Sequence, residues 1–254
     1  MLLALTRPVP PSIDRCELTH LAREPIDYAR AVVQHEAYET ALGTLGCRVE
    51  RLPDTPDLPD SVFVEDAAVV FDDIAVIARP GAESRRHEVE SVAQALRAYR
   101  PLAFIEAPGT LDGGDVLVTP RGVFVGISAR TNAEGVRQLE SLLASSGRTV
   151  VPIPINKCLH LKSAVTLTAD DIVLLNPEWI DAVHFGAFNV LHVDPAEPMA
   201  ANVLRLGDRV LCACEHPLTR ARLESSGIRT LAVEAGELAK AEGGLTCCSL
   251  IVRI

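Results

Sequence analysis

Residues 243–249 read Gly-Gly-Leu-Thr-Cys-Cys-Ser, which puts two adjacent cysteines at the end of a glycine-rich turn near the C-terminus. A cysteine does covalent chemistry only when a base, an acid and a substrate-shaped hole meet it. The sequence offers His160, in Cys158-Leu-His-Leu-Lys162, and Asp112, in Leu111-Asp-Gly-Gly-Asp115. A thiol, an imidazole and a carboxylate scattered along a chain are the usual layout of a thiol enzyme, because the fold brings the parts together. The plainer role of a free cysteine is a small buried core residue. Taken alone, Cys247 and Cys248 fit that role at least as well.

A second constellation, Cys212-Ala-Cys214-Glu-His216, places three metal-ligand types at alternate positions. In a strand they would share one face, so zinc binding is conceivable. The surrounding run from Val210 is apolar and no fourth ligand stands nearby, which favours a core strand and no metal site.

The elements that must position these groups repeat along the chain. Residues 67–71 and 74–78 read as two apolar strands around Asp72-Asp73, with a helical stretch at 84–99 and a strand at 102–105. The pattern returns at 115–119 and 123–127, with a helix over 133–145 and a strand at 149–153. It returns again at 164–168 and 172–175, with a strand at 192–193, and at 201–206 and 209–213, with a helix at 218–226 and a strand at 230–233. The Asp-Asp, Arg-Gly and Gly-Asp pairs suit hairpin turns. The N-terminal part adds a helix over 26–45 and a strand at 48–52, with 3–6 as its partner. About five ββαβ-like units follow from this, each too small to bury its own face, so they should pack around a common axis. The suggestive residues recur at one place in each unit: Glu65-Asp66, Asp112 to Asp115, His160 to Lys162, and Cys247. A shared central site is expected.

Size and composition agree. The 254 residues show no linker and no break in composition, so a single domain over 1–254 is expected. With 48% hydrophobic and 4% aromatic residues, the core must be Leu, Val, Ala and Ile. No apolar run is long enough to cross a bilayer, and the N-terminus lacks a signal-peptide pattern. A net charge of −10 disfavours nucleic acid and anionic membranes as partners. Seven cysteines without framework spacing point to reduced thiols in the cytoplasm.

Several longer stretches carry a family resemblance: Leu58-Pro-Asp-Ser-Val-Phe-Val-Glu-Asp66, Arg79-Pro-Gly-Ala-Glu-Ser-Arg-Arg86, Gly109-Thr-Leu-Asp-Gly-Gly-Asp115, Gly126-Ile-Ser-Ala-Arg-Thr-Asn132, Leu159-His-Leu-Lys162 and Leu245-Thr-Cys-Cys-Ser249. In this order they resemble the dimethylarginine dimethylaminohydrolases, of the guanidino-group-modifying superfamily. The resemblance implies an α/β fold, the five-fold pseudosymmetric α/β propeller called the pentein fold, with a central active site. It implies Cys247 as nucleophile, His160 as general acid/base and Asp112 as the carboxylate orienting it. It further implies Asp66 for the substrate guanidinium, Asp60 for the α-amino group, and Arg85 and Arg130 for the carboxylate. Leu18 falls in the loop covering the bound amino acid, and Glu65 and the Ala241 carbonyl line the same pocket. No metal or other cofactor is implied. The chain departs from the family at Ala241-Glu242, where close relatives carry a larger aliphatic residue followed by Asp.

The chemistry is coherent with these residue types. A guanidinium is planar, cationic and a poor electrophile; carboxylates can fix it by paired hydrogen bonds and keep it protonated. A bound cation beside a thiol favours the thiolate, so the substrate helps to activate its nucleophile. The expected reaction converts N-ω-methylated arginines (asymmetric dimethylarginine, monomethylarginine) to citrulline and dimethylamine or methylamine, through a covalent S-alkylthiouronium. The rival readings are an arginine deiminase, which generally carries an inserted helical region not seen here, a hydrolase of another arginine-like guanidino compound on the same fold, left open by Ala241-Glu242, an agmatine deiminase, which has no use for a carboxylate-binding arginine pair, and a noncatalytic arginine-binding or thiol/metal-binding module. The partner expected is a small cationic amino acid; a homodimer is an expectation from the edge faces of small propellers.

Overall fold

The computed structural model describes residues 1–254. Its fifteen strands form five three-stranded sheets. The first contains β1 (Leu2–Thr6) and β2 (Cys47–Arg51), which are parallel. The second contains β3 (Ala68–Val70), β4 (Ala75–Ile77) and β5 (Leu102–Phe104). The third contains β6 (Val116–Thr119), β7 (Gly122–Ile127) and β8 (Val150–Pro154). The fourth contains β9 (Val165–Ala169), β10 (Ile172–Leu175) and β11 (Asn189–His192). The fifth contains β12 (Leu204–Leu206), β13 (Arg209–Ala213) and β14 (Arg229–Val233). In each of the last four, an antiparallel hairpin is followed by a crossover to a parallel third strand. This is the ββαβ unit read from the sequence.

The C-terminal strand β15 (Leu250–Arg253) pairs antiparallel with β1, matching Leu3 with Val252 and Leu5 with Leu250. It gives the first sheet its missing strand and closes the ring with the two ends of the chain. This strand was not anticipated. Four residues, Leu-Ile-Val-Arg, carry too little periodicity to declare themselves without a partner.

Middle strands such as β7 and β10 are buried on both faces, which explains their unbroken apolar runs. Helices fill the gaps between sheets: α1 (Tyr28–Thr44), α2 (Val89–Leu96), α3 (Ala133–Leu143) and α5 (Pro217–Ser225) are crossovers, with short helices α4 (Leu161–Ala164) and α6 (Gly236–Ala239). Asp27 caps α1 through the Arg30 N–H at 3.0 Å, and Asn132 caps α3 through the Gly135 N–H at 2.8 Å. The expected helix at 84–99 begins as a 3-10 turn (Glu83–Glu88) and becomes α2 only at Val89. The fourth sheet's crossover has only a 3-10 turn (Ala182–Phe185), whose Phe185 is fully buried.

The core is divided. Five apolar clusters lie between neighbouring sheets, such as Val76, Ile105, Val125 and Leu139 between the second and third. No sheet is stable by itself, and each buries its faces against two neighbours. Strands β3, β6, β9, β12 and β15 face the axis, where they line a shared cavity of about 270 Å³. No helix is long and apolar enough to cross a membrane.

Candidate active site

The chemical groups stand on the tight turns that precede the axial strands. Val64–Ala67 precedes β3, Gly113–Asp115 precedes β6 and α4 precedes β9. The turn ending in Cys247 and Cys248, with the Cys247 N–H donating to the Gly244 carbonyl, precedes β15. Five-fold repetition thus brings segments 181 residues apart into contact, as when Thr246 donates to Glu65.

His160 sits just before α4 with an extended backbone. Its Nε2 lies 3.1 Å from Asp112 Oδ2 and its Nδ1 lies 3.6 Å from Asp66 Oδ1. Burial disfavours the imidazolium, but the carboxylates of Asp66, Asp112 and Asp115 outweigh it and lift the pKa to about 9. The ring is therefore a cation at neutral pH, with an N–H on each side.

Each carboxylate is itself held. Asp112, fully buried, accepts from the Gly81 N–H at 2.9 Å. Asp66 accepts from the Gly114 N–H at 3.0 Å and from Arg85 Nη1 at 2.7 Å. Burial would raise the Asp66 pKa, but His160 and Arg85 hold it down to about 2. Asp115 accepts from the Leu161 N–H at 2.9 Å and from Ser128 at 2.6 Å, which fixes the turn carrying His160. Burial lifts its own pKa to about 6. The Gly-Gly pair in this motif is steric. A Cβ on Gly114 would stand 2.5 Å from His160 Nδ1, and one on Gly113 only 2.0 Å from the Glu65 carbonyl oxygen.

Cys247 is buried, and its sulfur accepts from the Gly244 N–H at 3.3 Å. Burial pushes its thiol up to about 12, with Glu65 and Asp66 adding to the effect. The thiol is protonated at rest, and a cation arriving beside it would favour the thiolate. Cys248 is buried too, and its thiol faces the Gly244 carbonyl.

Cys247, His160, Asp66, Asp60, Arg130 and Ala241 share one small recess. At its far end the Asp60 carboxylate accepts from the Glu17 N–H at 3.1 Å. Arg130 is buried, donates from Nη2 to Thr19 at 3.2 Å, and leaves Nη1 without a hydrogen bond, 3.9 Å from Asp112 Oδ2. Arg85 also borders the recess, but its guanidinium is engaged by Asp66, Glu88 and the carbonyls of Asp60 and Phe63. Leu18 packs against the apolar cluster that contains Ala241 and Cys247. Glu65 lies on the other side: it binds Lys162 and Thr246 and borders the axial cavity instead of the recess.

Lys162, part of the recurring polar cluster, neutralises Glu65. Two participants were not singled out from sequence. Glu88 is the buried counter-charge of Arg85, three residues along, and Asn202, on the turn before β12, ties Thr246 to the Lys162 carbonyl. Its position before an axial strand is the one signal that marked it. Asp66, Asp112 and His160 are the only metal-ligand types that converge in a group of three. The Cys212, Cys214 and His216 set does not converge. Cys212 is buried in β13 with its thiol toward the Leu231 carbonyl, while Cys214 is exposed.

An N(G),N(G)-dimethylarginine dimethylaminohydrolase of Streptomyces coelicolor is 41% identical over 98% of this chain and 96% of its own length. The chain belongs to the dimethylarginine dimethylaminohydrolase family. The Pseudomonas aeruginosa member is 36% identical over 94% of either sequence. Its solved structure, a cysteine-to-serine variant complexed with citrulline, matches with a TM-score of 0.93 at 35% identity over 98% of each chain. A family model described as arginine deiminase matches residues 54–201, a span that includes Asp66, Asp112 and His160 and stops before Cys247. The N-terminal domain of ArgZ, a cyanobacterial arginine dihydrolase, shares the fold, with a TM-score of 0.89 at 17% identity over 99% of this chain and 97% of that one. The five-fold propeller of this family is therefore the fold of the present chain.

Proposed function

We infer that the protein is a dimethylargininase, hydrolysing N-ω-methylated L-arginine to L-citrulline and a methylamine, with residues 1–254 acting as one catalytic domain. The observation that carries this is a buried imidazole ring held between Asp112 and Asp66 in the same recess as a buried thiol. The substrate guanidinium docks on Asp66, with the Ala241 carbonyl beside it. Its charge favours the thiolate, so the Cys247 proton is lost to solvent, and the thiolate attacks the guanidinium carbon to give a tetrahedral adduct. His160 gives a proton to the departing amine as the C–N bond breaks. The S-alkylthiouronium that remains is attacked by water, which loses a proton to His160. The C–S bond then breaks, restoring the thiol and leaving the ureido product.

At the amino-acid end, Asp60 takes the α-ammonium, with Leu18 above it. Arg130, with a free buried N–H, takes the α-carboxylate. Arg85 is the companion cation on that wall, and Glu65 backs the nucleophile from the axial side. Seven free cysteines fit a reducing, cytoplasmic setting. The homodimer expected from edge-face pairing is read by sedimentation.

The test is a panel of dimethylarginine, monomethylarginine, arginine and agmatine with citrulline as readout, using Cys247→Ser as the control. Turnover of the methylated substrates that vanishes in Cys247→Ser supports the assignment. Turnover of arginine alone would make the protein a deiminase on the same fold.

A further inference from the structure

The recess is nearly closed. It has a free volume of about 10 Å³, room for roughly one water molecule, so an arginine-like head cannot enter unless part of the wall moves. Glu17 lines the recess, and it belongs to the stretch from Cys16 to Asp27, which carries no helix or strand and exposes Thr19, His20 and Leu21 to solvent.

Near its far end the Asp27 N–H bonds to Glu237 and Lys240 bonds to the Pro25 carbonyl, and over Glu17 to Leu21 the loop is fastened in four ways. The Glu17 N–H bonds to Asp60, Thr19 bonds to Arg130, and Ser84 bonds to the Glu17 carboxylate at the surface. The fourth is Glu242, whose carboxylate accepts the backbone N–H groups of Thr19, His20 and Leu21 in succession at 2.5 to 3.1 Å. Three consecutive amides converging on one anion form a nest, and hydrogen bonds to an ionised acceptor are the strong kind. The first two fastenings use Asp60 and Arg130, the side chains assigned above to the substrate's ammonium and carboxylate, the second through Arg130 Nη2, so a substrate engages the same two side chains. Glu242 is not among the side chains assigned above to the bound amino acid.

The backbone singles out the same residue. Glu242 is the only non-glycine residue with positive φ, at 58°. Glycine and asparagine suit that conformation at a helix end, and Glu242 follows α6 where the Gly243 N–H turns back to the Leu238 carbonyl. A long acidic side chain there marks a position at which the carboxylate itself is used. Glu242 borders the recess and two outer cavities, one of which it shares with His20, Leu21 and Trp179.

We propose that Glu242 is a positioning residue that latches the loop at 19–21 over the substrate, so that substrate entry requires the latch to release and binding to re-form it. The proposal rests on the assignment of the recess as the amino-acid site. Weakening the latch lowers the fraction of molecules with the loop closed, and apparent affinity falls by that fraction.

Trp179 is the only tryptophan and reports on the cavity under the loop. Acrylamide quenching of its fluorescence should be compared in wild type, Glu242→Gly and Glu242→Gln, alongside KM and kcat for dimethylarginine. Glycine accepts the positive φ, so Glu242→Gly removes the latch and spares the backbone. Quenching should rise in Glu242→Gly, and KM should rise on the order of tenfold, far more than kcat falls. Glu242→Gln, which keeps the reach and one acceptor oxygen, should fall between. Citrulline should suppress quenching more strongly in wild type than in Glu242→Gly. Wild-type quenching and KM in both variants would overturn the latch. If wild type makes no citrulline while quenching still separates the variants, the latch stands and the substrate assignment fails.

Discussion

Asp112 and His160 meet at 3.1 Å across 48 residues of chain, on turns that open neighbouring sheets. That contact, with Asp66 on the opposite edge of the ring, makes His160 an acid of pKa about 9. Amine departure needs this proton, so kcat should fall as pH rises through about 9. Asp112→Asn removes one of the anions that raise the pKa, so the alkaline limb of the pH–rate profile should move to lower pH. An unmoved limb would separate Asp112 from the proton transfer.

His160→Gly should lower kcat by about 10² to 10⁴. Both the departure of the amine and the activation of water lose their proton carrier, so the S-alkylthiouronium on Cys247 should accumulate. Intact-protein mass spectrometry after incubation with dimethylarginine reads the adduct, and an unmodified, fully active variant would remove His160 from the mechanism.

The Cys247 thiol, raised to about 12 by burial and by Glu65 and Asp66, should react slowly with a neutral alkylating agent. Between pH 7 and pH 9 that rate should climb about tenfold per unit, following the thiolate fraction. An amidinium reagent with the same leaving group brings its own cation. It should react faster at pH 7 and with a flatter pH dependence. Equal rates for the two reagents would mean that substrate charge does not activate the thiol.

Arg85 and Arg130 should separate in their effects. Arg85→Met leaves Asp66 and Glu88 buried without their cation, and breaking such a pair costs about 3–5 kcal/mol. A large loss of Tm is expected. Arg130→Met removes a charged donor with a free N–H, so its main effect should be a rise in KM on the order of 30-fold, as for loss of a charge-assisted hydrogen bond. Thermal melts and kinetics of the two variants check both.

His35 is buried beside Glu39 and Arg51 with no partner for Nε2; burial drives its pKa down to about 4. The unfolded chain binds this proton near pH 6.5 and the folded chain does not until about pH 4. Stability is therefore lost as pH falls from 6.5 to 4, by up to about 3 kcal/mol. Asp115, raised to about 6, works in the opposite direction over part of that window. His35→Phe should flatten the decline of Tm with acid relative to wild type; parallel curves would exclude His35 as its source.

Much of this was legible in the residues. The apolar pairs around Asp72-Asp73 and Arg121-Gly122 announced hairpins, because the middle strands are buried on both faces and their runs are uninterrupted. The recurrence of acids, His160 and Cys247 before axial strands announced a shared centre. Other features left weaker marks. Leu250–Arg253 is too short to read as a strand until β1 lies beside it. Glu88 and Asn202 look like ordinary surface polar residues until the fold gives each a partner.

Residue types and their order along the chain determined that this is a five-unit propeller with a thiol, an imidazole and several acids at equivalent places in its units. Local pattern and chemical identity are properties of short segments, and they survive without coordinates. Tertiary structure decided the protonation and direction of each group: that Arg85 serves Asp66, that Glu65 turns toward the axis, and that Glu242 reaches back over 221 to 223 residues to the loop. Charge interactions and hydrogen bonds depend on distance and burial, and those arise only when the ring closes.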